Sequence, residues 1–245
     1  MAKKLYLLTF SLSTFFLILF FFYISNHTNH PPNPGLELIE VFQDARGKVV
    51  LYRDTLGNVH AKGKVHKGSV VYIYDEDKGM LLLQRSMDLK LCPGQWSIVG
   101  EHAKPKETPR QTAKRGVKEE LGIDIDVKEL VDLGEKLFQF EYEDLQRIDF
   151  QITARFLWKT RNLALTEEKL NEISMFSGLE MESLANLSIK NPIYMDIDTT
   201  ETANIWFLSP RDFLEELDTG DKFCHRYFSN WYAKGLEIAI KKLEE

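Results

Sequence analysis

Short apolar runs fill the first third of the folded sequence. Leu36–Gln43, Lys48–Asp54, Ser69–Asp75 and Met80–Arg85 are rich in β-branched, aromatic and other apolar residues, and Gly- or Asp-containing turns separate them. That pattern predicts strands. From Thr108 the pattern changes: Ala113, Val117 and Leu121 recur every four residues. Thr108 suits an N-cap, Pro109 the first turn and Gly122 the position just past the last, so a helix is predicted over 109–121. Asp124–Lys136 and Leu137–Glu143 continue an αβ alternation, Ile148–Lys159 alternates as a strand, and Glu201–Leu208 reads as another. Ser209-Pro210-Arg211-Asp212 opens a further helix. Arg226–Glu245 predicts a last helix whose Phe228, Trp231, Tyr232, Leu236, Ile238 and Ile240 face a core. Asn162–Lys190 is polar, a helix or inserted loop where substrate selectivity is expected.

The start of the chain reads differently. Leu5–Ser25 carries no charge and is mostly Leu, Phe and Ile. At about 1.5 Å per residue it suffices for a bilayer core of roughly 30 Å. This predicts a transmembrane signal-anchor within 1–25, with a cleaved signal peptide as the alternative. Lys3 and Lys4 precede the segment and the next Lys or Arg is Arg46, which favours a single-pass membrane protein with a lumenal or extracellular domain, or a secreted one if cleaved. Residues 26–35 form a proline-rich linker, leaving 36–245 as one domain. Asn26-His27-Thr28 and Asn186-Leu187-Ser188 read as glycosylation sequons. A net charge of −6 over 245 residues argues against a nucleic-acid polymer as partner. Cys92 and Cys224 have no metal-ligand spacing, and their pairing is left open.

The candidate chemistry lies in Gly100–Ile123, GEHAKPKETPRQTAKRGVKEELGI. On the predicted helix Gly116, Glu119 and Glu120 share a face. Carboxylates held side by side call for a cation, and Mg²⁺ (or Mn²⁺) prefers such carboxylates together with substrate phosphate oxygens. The stretch resembles the box of the Nudix family, G-x5-E-x7-R-E-U-x-E-E-x-G-U, where U is bulky and aliphatic. Glu107, Arg115, Val117, Glu119-Glu120 and Gly122-Ile123 fall on it. Two positions depart: the box glycine is Glu101, and the glutamate after the arginine is Gly116.

The resemblance implies an α/β/α sandwich with a mixed sheet. It also implies that Glu119, Glu120 and the Gly100 carbonyl bind metal, and that Glu107 and Arg115 pair structurally ahead of Gly122. Gly116 either makes room for something or marks a lost group, and Glu101 is a candidate replacement carboxylate. Glu119, Glu120 and Glu101 are thus the candidate catalytic set. The expected activity is Mg²⁺-dependent hydrolysis of a small organic or nucleoside diphosphate; a non-catalytic diphosphate-binding module is the alternative.

Gln84-Arg85-Ser86, Lys90 and Pro93-Gly94-Gln95-Trp96 precede the box, and Arg85 and Lys90 are candidates to bind substrate phosphate. With Val65-His66-Lys67, His102 and Phe228-Ser229-Asn230-Trp231, they resemble the isopentenyl-diphosphate isomerase branch of the superfamily. That branch places a catalytic cysteine where this chain has Gly100, which counts against isomerase chemistry. His60, His66 and His102 are candidates for part of a metal site, or else hydrogen-bonded structural histidines. Asp149 and Glu143 are candidates for a further acidic ligand.

Overall fold

The computed structural model of the protein describes residues 36–142, 147–170, 172, 191–218, 222–224 and 230–245. Strands β1 (Leu38–Phe42) and β2 (Val50–Thr55) pair antiparallel. A short helix α1 (Leu56–Ala61) follows directly, its first turn capped by the Thr55 side chain. The main sheet has seven strands among the described residues. Its path is β11 (Thr202–Leu208), β4 (Gly79–Arg85), β3 (Val65–Asp75), β8 (Arg147–Thr160), β7 (Leu130–Tyr142). The short strands β5 (Trp96–Ser97) and β6 (Val99–His102) add to β4 and β3. β3 and β8 run parallel and the other pairings are antiparallel, so the sheet is mixed. β9 (Leu163–Leu165) and β10 (Ile193–Met195) form a separate parallel pair.

The period of two along β3 divides the core. Val71 and Ile73 face the helix α2 (Pro109–Leu121), which buries Ala113, Val117 and Leu121 against them together with Val99, Phe156 and Trp158. Val70 and Tyr72 face the opposite side, where they meet Phe213 of α3 (Pro210–Asp218) and Leu236 and Ala239 of α4 (Asn230–Glu244). The expected sandwich, with a mixed sheet between helical layers, is therefore present.

Helix α2 ends as its sequence dictates. Thr108 accepts from the Gln111 amide while the Gln111 side chain accepts from the Thr108 amide, a reciprocal capping box. Gly122 closes the helix at φ 71°, where a Cβ would be strained.

Several expectations change. Residues 124–142 do not alternate helix and strand: Leu130–Tyr142 is one strand, bent at a register shift between Asp132 and Glu135 with Gly134 at φ 87°. Cys92 and Cys224 form a disulfide with Cα atoms 5.3 Å apart. It fastens the loop after β4 to a segment where the Cys224 amide donates to the Trp96 carbonyl at 2.9 Å.

The membrane placement, and the lumenal, extracellular or secreted location drawn from it, is corrected. Among the described residues no helix is long and apolar enough to cross a membrane. The longest, α4, has 15 residues, about 22 Å against a core of roughly 30 Å. Leu5–Ser25, the linker, both sequons, Glu143, Phe228 and most of Asn162–Lys190 lie outside the described residues, as do the side chains of Trp231 and Tyr232.

Leu121→Ala is expected to cost about 2–5 kcal/mol by leaving a cavity between α2 and the sheet. Leu137→Ala, at a side chain 38% exposed, should change stability by no more than about 0.5 kcal/mol. Urea unfolding of both variants checks the contrast.

Candidate active site and a neighbouring histidine cluster

Arg115 organises the acidic end of α2. Its Nε donates to Glu107 Oε1 at 2.9 Å and its Nη2 to Glu107 Oε2 at 3.0 Å, a bidentate pair. Nη2 also donates to the His102 carbonyl at 2.6 Å. Nη1 reaches Glu119 Oε2 at 3.0 Å and Glu101 Oε2 at 3.1 Å. The fork thus binds the loop after β6 to the helix and draws two further carboxylates together. Burial pushes the Glu107 carboxyl up, but hydrogen bonds from Arg115 and the Lys104 amide outweigh it and hold it below the usual range.

The acidic pair is split by environment. Glu119 is half exposed and meets Arg115 and Lys104. Burial opposes its charge, but the Glu101 hydrogen bond and the two cations win and lower it. Glu120 turns its tip inward, accepting the Gly100 amide at 3.1 Å. Burial, then the nearby Glu201, pushes it well above the ordinary carboxylate value. Glu101 is pushed up to about 7, first by burial, with Arg115 opposing and Glu119 adding to the rise.

Glu201, in the turn just before β11, completes the group. Its carboxyl is raised by burial and by Asp198, with Arg85 pulling the other way. Sequence reasoning missed it as a site residue. The pairing of Thr202 with Arg85 brings it in, and the sequence showed only a strand beginning there.

Arg85 lies at this group, where its charge favours ionised Glu120 and Glu201. Its Nε donates to the Leu91 carbonyl at 2.8 Å, which also ties it to the loop carrying Cys92. Lys90 is exposed on the same loop. The structure therefore brings Arg85, Glu101, Glu107, Arg115, Glu119 and Glu120 together and leaves Lys90 at the rim.

His102, next to Glu101 on β6, belongs to a second cluster with His60, His66 and Asp149. One ligand atom from each lies within 4.8 Å of the others. His60 comes from α1, His66 from β3 and Asp149 from β8. The two Nε2 atoms of His60 and His66 stand 3.3 Å apart, and Asp149 Oδ1 is 3.4 Å from His66 Nε2. His66 Nδ1 lies 3.0 Å from the Lys64 carbonyl, so Nδ1 is the donor there and Nε2 is the nitrogen turned toward the cluster. Imidazole nitrogens converging on a buried carboxylate are a donor set that could hold a metal ion.

Residues 64–196 match the family model for the NUDIX domain. The chain belongs to the Nudix family. It is 38% identical over 89 residues to Nudix hydrolase 3 of Arabidopsis thaliana, a match covering 36% of this chain and 11% of that protein. It is 30% identical over 100 residues to the isopentenyl-diphosphate Delta-isomerase of Streptomyces avermitilis, covering 40% of this chain and 50% of that one. The Streptomyces coelicolor isomerase matches at 25% identity across 86% of this chain and 85% of its own length. The chain thus spans half or less of the length of the first two relatives. Among solved structures, DR0079 from Deinococcus radiodurans superposes with a TM-score of 0.53 at 11% identity, over 82% of this chain and 99% of that one, and supports the fold.

The raised carboxyls give the metal-free Nudix domain a defined pH response. Folded Glu101 keeps its proton up to about 7, whereas the ordinary value is 4.5. The folded state binds more protons in that window, so stability falls as pH rises through it. Glu107 and Glu119 are shifted the other way and act below it. In a chelator the thermal midpoint should fall between about pH 5 and about pH 7.5, less steeply in Glu101→Gln. Identical slopes for the two proteins would count against this.

Proposed function

We propose that this Nudix domain is a Mg²⁺- or Mn²⁺-dependent hydrolase of a diphosphate linkage in a small organic or nucleoside diphosphate. The observation that carries the reading is the acidic end of α2, where Glu120 accepts the Gly100 amide at 3.1 Å and Glu119 and Glu101 meet on Arg115, with Glu201 and Arg85 near enough to act on the Glu120 carboxyl. A buried carboxylate surrounded by like charge fits a hard divalent cation, which takes oxygen ligands together with phosphate. Glu119, Glu120 and the Gly100 carbonyl would hold that ion. When bound, it would polarise phosphate oxygens and acidify water.

The remaining work belongs to side chains. Arg85, tethered through Nε, would offer its outer guanidinium nitrogens to the phosphate, and Lys90 would add charge from the rim. Glu201, beside Glu120 and Arg85, would take the proton of the attacking water on its carboxylate. Arg115 and Glu107 position the helix against the loop without touching substrate.

A prenyl-diphosphate isomerase-like activity is the second reading. The histidine cluster and the isomerase relatives favour it. Gly100, standing where the isomerase pattern has a cysteine, opposes it. The full chain incubated with nucleotide, sugar and prenyl diphosphates, with and without Mg²⁺, separates the readings. Hydrolysis releases phosphate products, whereas isomerisation moves a double bond with none. Glu120→Gln should lower metal-dependent turnover by about 10²-fold or more. Unchanged turnover would remove Glu120 from the site, and ligand-dependent thermal stabilisation without turnover would favour a binding module.

A further inference from the structure

The two departures from the box pattern face each other. The pattern puts a glycine at 101 and a glutamate at 116, and this chain has the reverse. β6 pairs with β3 in the register Ser69–Glu101 and Val71–Val99, which lays Glu101 against the helix at Gly116. A Cβ built on Gly116 would stand 2.9 Å from the Glu101 Cβ, 3.7 Å from its Cγ and 3.3 Å from Val99 Cγ1. The nearest of these atoms is fixed to the strand backbone and cannot swing aside. A side chain at 116 and the Glu101 side chain therefore exclude each other.

Gly116 shares a helix face with Glu119 and Glu120, so a carboxylate there would point into the region Glu101 fills. The Glu101 carboxylate is fully held in that region. Oε2 takes Arg115 Nη1 at 3.1 Å and Oε1 accepts the His102 amide at 2.8 Å. A glycine in a helix interior also costs about 1 kcal/mol against alanine, which a mere loss of function would not require.

We infer that Glu101 and Gly116 form a reciprocal exchange in which β6 delivers to the metal centre the carboxylate that the box pattern carries on the helix. The site then keeps its full acidic complement, and Gly116 is the space that admits it. This rests on the reading of Glu119 and Glu120 as metal ligands.

The test is Mg²⁺ binding to the full chain by calorimetry, since a hard cation prefers carboxylates to imidazoles. The wild type, Glu101→Gly, Glu101→Gln, Gly116→Glu and the transposed Glu101→Gly/Gly116→Glu protein are compared, with thermal midpoints and turnover beside them. Both single changes at 101 should weaken Mg²⁺ by about tenfold or more. Gly116→Glu should lower the thermal midpoint through crowding, without tightening Mg²⁺. The transposed protein should recover affinity and turnover toward the wild type. A transposed protein no better than Glu101→Gly overturns the inference. If it does not fold, Glu101→Gln decides: wild-type Mg²⁺ affinity in that variant also overturns it. A wild type that binds no Mg²⁺ removes the metal-centre reading itself, and the inference with it.

Discussion

Without the Arg115 guanidinium, the backbone would press Glu101, Glu107 and Glu119 together with little to offset their repulsion. The planar fork supplies donors in three directions, to the loop, to the strand and one turn along its own helix. Its side chain is only 15% exposed, so solvent screens these contacts less than those of a surface ion pair. Removing one partner of such a network leaves charge stranded in a poor medium. The loop, the end of β6 and the acidic face of α2 are held as one unit, and the candidate metal ligands hang from it.

Much of that unit was legible along the chain because its parts are local. The caps of α2 at Thr108 and Gly122, the buried stripe Ala113–Val117–Leu121 and the Glu107–Arg115 pair depend on helical spacing, which sequence displays directly. The mixed sheet followed from the same kind of pattern together with the family resemblance. Membrane placement did not survive, because it rested on a segment outside the described fold.

The rest was hidden because it is made by pairing between distant strands. His60 and His66 are near in sequence, but Asp149 joins them only through the parallel contact of β3 with β8, where His66 lies opposite Gln151. Glu201 is brought to Glu120 by the run of β11 along β4 and by the Asp198 amide, which donates to the Glu120 carbonyl at 3.1 Å. The disulfide joins positions 132 residues apart, with nothing local to announce it. β7 was misjudged because Gly134, Glu135, Lys136 and Leu137 are exposed in an unbroken row, which blurs the period of two.

The four residues of β6 serve two masters. Gly100 and Glu101 meet the carboxylates and His102 meets the imidazoles, on consecutive positions of one strand. Gly68, opposite His102, leaves no room for adjustment, since a Cβ there would fall 2.1 Å from Gln151 and 2.8 Å from the Glu101 carbonyl. Sliding the strand by one residue would therefore take Glu101 from the carboxylates and His102 from the imidazoles in one step. The two centres are wired to a single switch of register: an inserted or deleted residue near Val99 would dismantle both at once, whereas drift elsewhere can retune either separately.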